Sequence, residues 1–239
     1  AEKTGDSYML NGEKTFLTNG TFLDYFIFIA QTGVENGKKK FTAFLVPANL
    51  PSLKKTPLKF GWLKSSPHCS LSVENCSVSD AAIMGRTGMA YEDMVLPFRV
   101  IEDVLLLGLI LGGLERMFTR FLEAAAIHNT PPDKAGRLFG MLAAMEAVSL
   151  RSSQLLDAGG LPARGNRVVE SLAFESRNIA REFLSVMKTV TGDLSPDEFE
   201  TDIGRLIDLG RQVSFIKQEK IGVDLLSKGY EHGLERREI

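Results

Sequence analysis

The stretch Gly5–Gly20, GDSYMLNGEKTFLTNG, decides how the first part of the chain is read. Ser7–Leu10 and Thr15–Thr18 alternate in polarity, with Asn11-Gly12 between them and Asn19-Gly20 after them. That pattern predicts short strands punctuated by Asn-Gly turns. Phe16 and Thr18 are two apart, so they share one face of their strand. A ring beside a hydroxyl has two readings. One is a hydrophobic core with a spare threonine; the other is a surface that stacks and hydrogen-bonds a flat heteroaromatic ring.

Working outward, the same rhythm continues in Tyr25–Gln31, Phe41–Val46 and Ser70–Glu74, separated by Gly-, Asn- and Pro-containing turns. This is the pattern of an antiparallel sheet or barrel. After Tyr91 the period changes from 2 to 3.6, and four helical segments follow: about Tyr91–Ile127, Pro132–Asp157, Asn166–Thr191 and Pro196–Lys228. Thr130 or Asp133 is placed to cap the second. Ser195, Pro196 and Glu198 spell a capping box for the fourth. Core seams are expected at Val169, Leu172, Ile179, Phe183 and Met187 in the third segment, and at Leu206, Ile207, Ile216 and Leu225 in the fourth. The expected fold is therefore α+β: an antiparallel, barrel-like β-domain over residues 1–90, then a four-helix up-and-down bundle over 91–239.

Composition narrows the function classes. The 239 residues carry a formal net charge of -2, with 10 basic and 7 acidic side chains in residues 1–90 and 18 and 23 in the rest. No basic stripe marks a nucleic-acid binder. The longest apolar run, Val104–Leu114, is too short for a membrane span. Two cysteines, Cys69 and Cys76, and three scattered histidines do not make a metal set, and no metal is expected. Isolated thiols suit a reducing, cytoplasmic compartment. The chain opens at Ala1 with no signal peptide, and reads as the interior of a longer protein.

Read together, GDSYMLNGEKTFLTNG, FTAFLVP (Phe41–Pro47), LKFGWLKSSPHCSLSVENCSV (Leu58–Val78) and MGRTGMAYEDM (Met84–Met94) resemble the acyl-CoA dehydrogenase family. The resemblance implies the family's middle β-domain and C-terminal helical bundle, with the N-terminal helical domain absent. It implies FAD as cofactor, with Phe16 against the flavin ring and the Thr18 hydroxyl near its N5 atom, and an acyl-CoA thioester as the substrate. It also implies a homodimer or homotetramer built through the bundle.

The implied reaction is α,β-dehydrogenation, in which a carboxylate removes the α proton while a hydride leaves the β carbon. The resemblance offers two positions for that base. Counting back from Gly112 gives Glu102, which precedes the apolar run Val104–Leu107. The echo of a C-terminal loop in Tyr230-Glu231-His232-Gly233 gives Glu231. Where the family carries Arg-x-x-Phe-Gly to hold the pyrophosphate, this chain has Ile127–Asp133 without an arginine, so the FAD site is incomplete here. Two alternatives stay open: a catalytically degenerate relative serving assembly, and a flavin monooxygenase of the same architecture.

Overall fold

The structure is a computed structural model that describes residues 1–59, 61–64, 66–128, 131–158, 163–191, 197–209 and 211–228. Packing divides the chain into two compact units, Ala1–Arg99 and Val100–Ile239.

The first unit contains strands β1 (Glu2–Thr4), β2 (Ser7–Thr18), β3 (Tyr25–Glu35), β4 (Lys38–Pro47), β5 (Leu53–Leu58), β6 (His68–Ser79) and β7 (Ile83–Met84). They form two antiparallel sheets, ordered β1-β2-β6-β5 and β3-β4-β7. The core lies between the sheets. Tyr8, Leu10, Phe26, Phe44, Leu71 and Val78 are among its buried residues, and the Tyr8 and Phe44 rings meet at 5.0 Å. The expected barrel-like closure is not formed among the described residues. The sheets stay separate, and a cleft of about 480 Å³ lies between β2 and β3, lined by Leu10, Leu17, Phe26, Phe28, Ala30 and Val73 among others.

The turn expected at Asn11-Gly12 is also corrected. β2 runs unbroken through it, because β6 absorbs the irregularity: Leu10 pairs with Cys76 and Gly12 with Val73, leaving Glu74-Asn75 opposite Asn11. Asn75 takes φ 50°, and its N–H donates to the Asn11 side-chain oxygen at 2.7 Å. The Asn19-Gly20 turn does end the strand, with Asn19 in the left-handed region at φ 58°. Asparagine tolerates that conformation better than most residues.

A single π-helical turn, Tyr91–Val95, leads into α1 (Leu96–His128). Arg86 grips the turn, donating from Nε and Nη2 to the Asp93 carboxylate at 2.8 and 2.6 Å. α2 (Pro132–Asp157) and α3 (Ala163–Thr191) follow. α2 starts with Pro131 at its N-cap and no side-chain cap, so Asp133 does not cap it; Thr130 lies outside the described residues.

The expected fourth helix is two helices, α4 (Glu198–Asp208) and α5 (Arg211–Lys228), giving five among the described residues rather than four. The break at Leu209 leaves α4 carbonyls without helical donors. α3 supplies the replacements: Arg177 Nη1 donates to the Leu209 carbonyl at 2.7 Å, and Arg181 Nη2 to that of Ile207 at 3.2 Å. At its other end, α4 carries a capping box formed by Asp197 and Glu200, two residues beyond the Ser195–Glu198 box expected. Ser195 and Pro196 lie outside the described residues. Arg116 and Arg120 of α1 reinforce this cap, both donating to Asp197.

The buried stripe of α3 runs through Val169, Ala173, Ser176, Ala180 and Phe183, so small residues replace the expected Leu172 and Ile179. They let neighbouring helices approach. Ile216 and Leu225 of α5, expected in the core, are exposed. A polar node ties α5 down instead. Lys217 donates to Asp103 of α1 at 2.9 Å and lies 3.3 Å from Glu170 of α3, while the Arg177 guanidinium, only 7% exposed, sits 3.9 Å from Asp103.

Two outcomes test this packing. A methyl added at Gly113 would sit 2.5 Å from Ile203 Cδ1, and Ile203 is itself buried. Gly113→Ala is therefore expected to destabilise the bundle by about 1–3 kcal/mol in urea unfolding, as overpacked sites do; no loss would mean that α1 and α4 do not pack this closely. At Lys217, burial pulls the ammonium down, but the hydrogen bond and charge of Asp103, with Glu170, raise it above the ordinary 10.5. Its stabilisation is thus complete below that value and lost as pH rises through the higher folded one. Urea midpoints measured across the alkaline range should fall there in the parent and fall less in Lys217→Met.

Candidate functional site

Strict alternation along β2 would put Phe16 and Thr18 in the core, since Tyr8 and Leu10 point there. A second register shift prevents it. Lys14 pairs with Leu71 and Leu17 with Cys69, so Thr15 and Phe16 together oppose the single residue Ser70. Such a bulge inverts the facing of everything after it. Leu17 turns inward onto the core, Phe16 stands 59% exposed, and Thr18 is exposed beside it. Both expected residues therefore share the outer face of the four-stranded sheet.

Thr18 pairs directly with His68 across the strands, and its Oγ1 lies 3.0 Å from His68 Nε2. The other ring nitrogen, Nδ1, lies 2.6 Å from the Ser66 carbonyl oxygen. A carbonyl can only accept, so Nδ1 carries the proton; in the neutral ring Nε2 is then bare and accepts from the Thr18 hydroxyl.

The loop beneath is built to hold this arrangement. The Ser66 N–H donates to the Leu63 carbonyl, and the Asn19 N–H donates to that of Pro67 at 2.7 Å. Gly20 is needed for close approach, because a Cβ there would lie 2.5 Å from the Cys69 sulfur. Cys69 and Cys76 are both buried and free, and burial pushes the Cys69 thiol up. Local sequence pattern does not reveal the partnership of His68 with Thr18. The signal lies in strand register between residues 50 apart, which no local pattern carries.

Glu102 belongs to the second unit. It is exposed on α1, on the side that also carries Phe98, Ile101, Leu105 and Leu109, all exposed, with Gly112 further along. The opposite face of α1 holds Val100, Val104, Leu107 and Ile110, which are buried. Thus α1 is apolar on both faces, and Glu102 is a carboxylate amid the uncovered one. Its neighbour Asp103 points elsewhere, into the Lys217–Arg177 node. Glu231 lies outside the described residues.

A flavin ring needs an aromatic or apolar face to lie on and polar atoms at its edge. Phe16 and the held Thr18 hydroxyl fit that need. Arg137 lies within α2 and donates to Glu182 of α3 at 2.5 Å. Among the described residues no three His, Cys, Asp or Glu side chains converge as a metal site. No described helix is long and apolar enough to cross a membrane.

Comparison with known proteins bears on the same surfaces. Residues 1–76 match the model of the acyl-CoA dehydrogenase middle domain. The chain is 33% identical over 93 residues to the mitochondrial isobutyryl-CoA dehydrogenase of Dictyostelium discoideum, a match covering 38% of this chain and 22% of that protein. Among solved structures, a glutaryl-coenzyme A dehydrogenase in complex with glutaryl-CoA superposes with a TM-score of 0.77 at 18% identity, over 95% of this chain and 60% of that one. A glutaryl-CoA dehydrogenase of Mycobacterium smegmatis in complex with FADH2 superposes with a TM-score of 0.72, at 18% identity and the same coverages. The two solved structures share this fold, and this chain accounts for part of the length of each of these proteins.

If Phe16 serves a ligand and not the core, its loss leaves the flavin-free protein nearly as stable as before. Phe16→Ala is expected to cost less than about 0.5 kcal/mol, against about 2–5 kcal/mol for Leu71→Ala. Equal losses in urea unfolding would return Phe16 to the core.

Proposed function

We propose that this chain, which belongs to the acyl-CoA dehydrogenase family, is the middle and C-terminal part of an FAD-dependent oxidoreductase acting on the CH–CH bond of acyl-CoA thioesters. Residues 1–90 serve as the flavin- and acyl-CoA-facing domain and 91–239 as the helical bundle. The observation that carries the reading is the outward bulge of β2, which presents Phe16 and Thr18 together on the stretch where the family match is found.

Phe16 would hold the flavin ring by stacking, and Thr18 would bond its edge. A bound flavin supplies the hydride acceptor. For the chain's own part, Glu102 takes the α proton of the thioester. A carboxylate does this well only where water is excluded and its affinity for protons rises toward neutrality. The apolar side chains flanking Glu102 provide that setting once the face is covered. Glu231 is the alternative base. The exposed apolar residues of α5, including Phe215, Ile216 and Leu226, favour self-association through the bundle as a dimer or tetramer. The assembly-only alternative is favoured by the lack of an arginine in Ile127–Asp133, where the family's phosphate motif is expected.

Anaerobic mixing of the full protein with acyl-CoA thioesters tests this. The parent is expected to lose its flavin colour. Glu102→Gln is expected to keep flavin and thioester binding while bleaching about 10²–10⁴-fold more slowly, the usual worth of a general base. Glu231→Gln should match the parent. Parental bleaching by Glu102→Gln with failure of Glu231→Gln would move the base to the C-terminal loop. A parent that is yellow yet never bleaches would support the monooxygenase or degenerate readings.

A further inference from the structure

We propose that His68 is a positioning residue that fixes the direction of the Thr18 proton, so that Thr18 meets its ligand as a hydrogen-bond acceptor. The inference rests on the flavin reading above and goes beyond it. The expectation from the resemblance is a hydroxyl placed near N5, and a free hydroxyl can donate or accept there. In this chain it is not free to choose.

The argument follows the protons along three groups. The Ser66 carbonyl has none to give, so the contact to His68 Nδ1 at 2.6 Å requires a proton on that nitrogen. With that proton on Nδ1 and none on Nε2, Nε2 has a lone pair and can only accept. Thr18 Oγ1, 3.0 Å away, is therefore the donor. A hydroxyl has one proton, and here it is spent within the protein. Only oxygen lone pairs remain for a partner on the outer face.

Each member of the relay is anchored separately. Ser66 belongs to a turn closed by its own N–H onto Leu63, and the next residue accepts from Asn19. His68 and Thr18 are paired in the sheet. Asn19 holds the end of β2 to Pro67, and Gly20 lies close against Cys69. Such preorganisation is what makes a hydrogen-bonding group effective without reorganisation.

The chemical consequence is selective. An unprotonated ring nitrogen and a Thr18 lone pair repel, whereas an N–H facing Thr18 is bonded. A flavin carries a proton on N5 only when reduced. His68 therefore biases the bound cofactor toward its reduced form, through Thr18 and without touching it.

The test uses the full protein with its flavin and two readouts. Imidazole-nitrogen NMR reads the relay itself. His68 is expected as the Nδ1–H tautomer, its Nε2 signal shifting in Thr18→Val and staying in place in Thr18→Ser, which keeps the hydroxyl. Spectroelectrochemistry reads the consequence. His68→Phe frees the Thr18 proton to turn outward, so the flavin midpoint potential should fall. At a fixed potential this is roughly a fivefold loss of reduced over oxidised flavin, the worth of one neutral hydrogen bond. In a Thr18→Val background, His68→Phe should have no further effect.

An Nε2–H tautomer, or an unmoved Nε2 signal in Thr18→Val, overturns the relay. A potential that responds to Thr18→Val but not to His68→Phe overturns the positioning role and leaves the flavin reading standing. If Thr18→Val moves neither potential nor flavin retention, the flavin reading itself fails, and the inference falls with it.

Discussion

The bulge at Thr15-Phe16 is the constraint on which the functional surface depends. Upstream of it, Tyr8 and Leu10 of β2 face the core; downstream, Leu17 does. Without the extra residue Phe16 and Thr18 would share the side of Tyr8 and Leu10 and Leu17 would face outward, since side chains alternate strictly along an undisturbed strand. One inserted residue thus turns Phe16 and Thr18 to the outer face at the end of the strand. It also brings Thr18 opposite His68, with the hydroxyl oxygen 3.0 Å from Nε2.

The bundle solves a different problem. Its helices meet through small residues, Gly113 of α1 against Ile203 of α4 and Ala173, Ser176 and Ala180 along α3, and are secured by charged groups at their ends. Arg177 and Arg181 take the carbonyls freed where α4 stops. Arg116 and Arg120 cover the acidic cap where it starts. Removing one member of such a partly buried network costs more than its pairwise attraction suggests, because the partner left behind stays desolvated. The second apolar face of α1, where Phe98, Ile101, Leu105 and Leu109 are exposed beside Glu102, takes no part in this.

Local sequence pattern reached the α+β architecture, the period change near Tyr91 and the shared face of Phe16 and Thr18. It failed where the deciding interaction is non-local. β5, with Lys54, Lys55 and Pro57, does not read as a strand; its place at a sheet edge is what tolerates that proline. Pro196–Lys228 reads as one helical segment, and the break at Leu209 is met by arginines some thirty residues upstream. Asn11-Gly12 carries a strong turn signal, overridden because β6 supplies the bulge opposite. The Thr18–His68 pair needs the register of two strands and could not be read from either. Phe16 alone was ambiguous for the same reason: whether a strand aromatic is core or surface turns on a bulge visible only in its pairing.

The central claim is that the outer face at the end of β2 receives the flavin ring. A crystal structure of the full protein with FAD measures this directly. The account predicts the ring lying against Phe16, with one edge at the Thr18 hydroxyl and His68 still bonded behind it. A ring bound elsewhere, with Phe16 packed against other protein side chains, would contradict it.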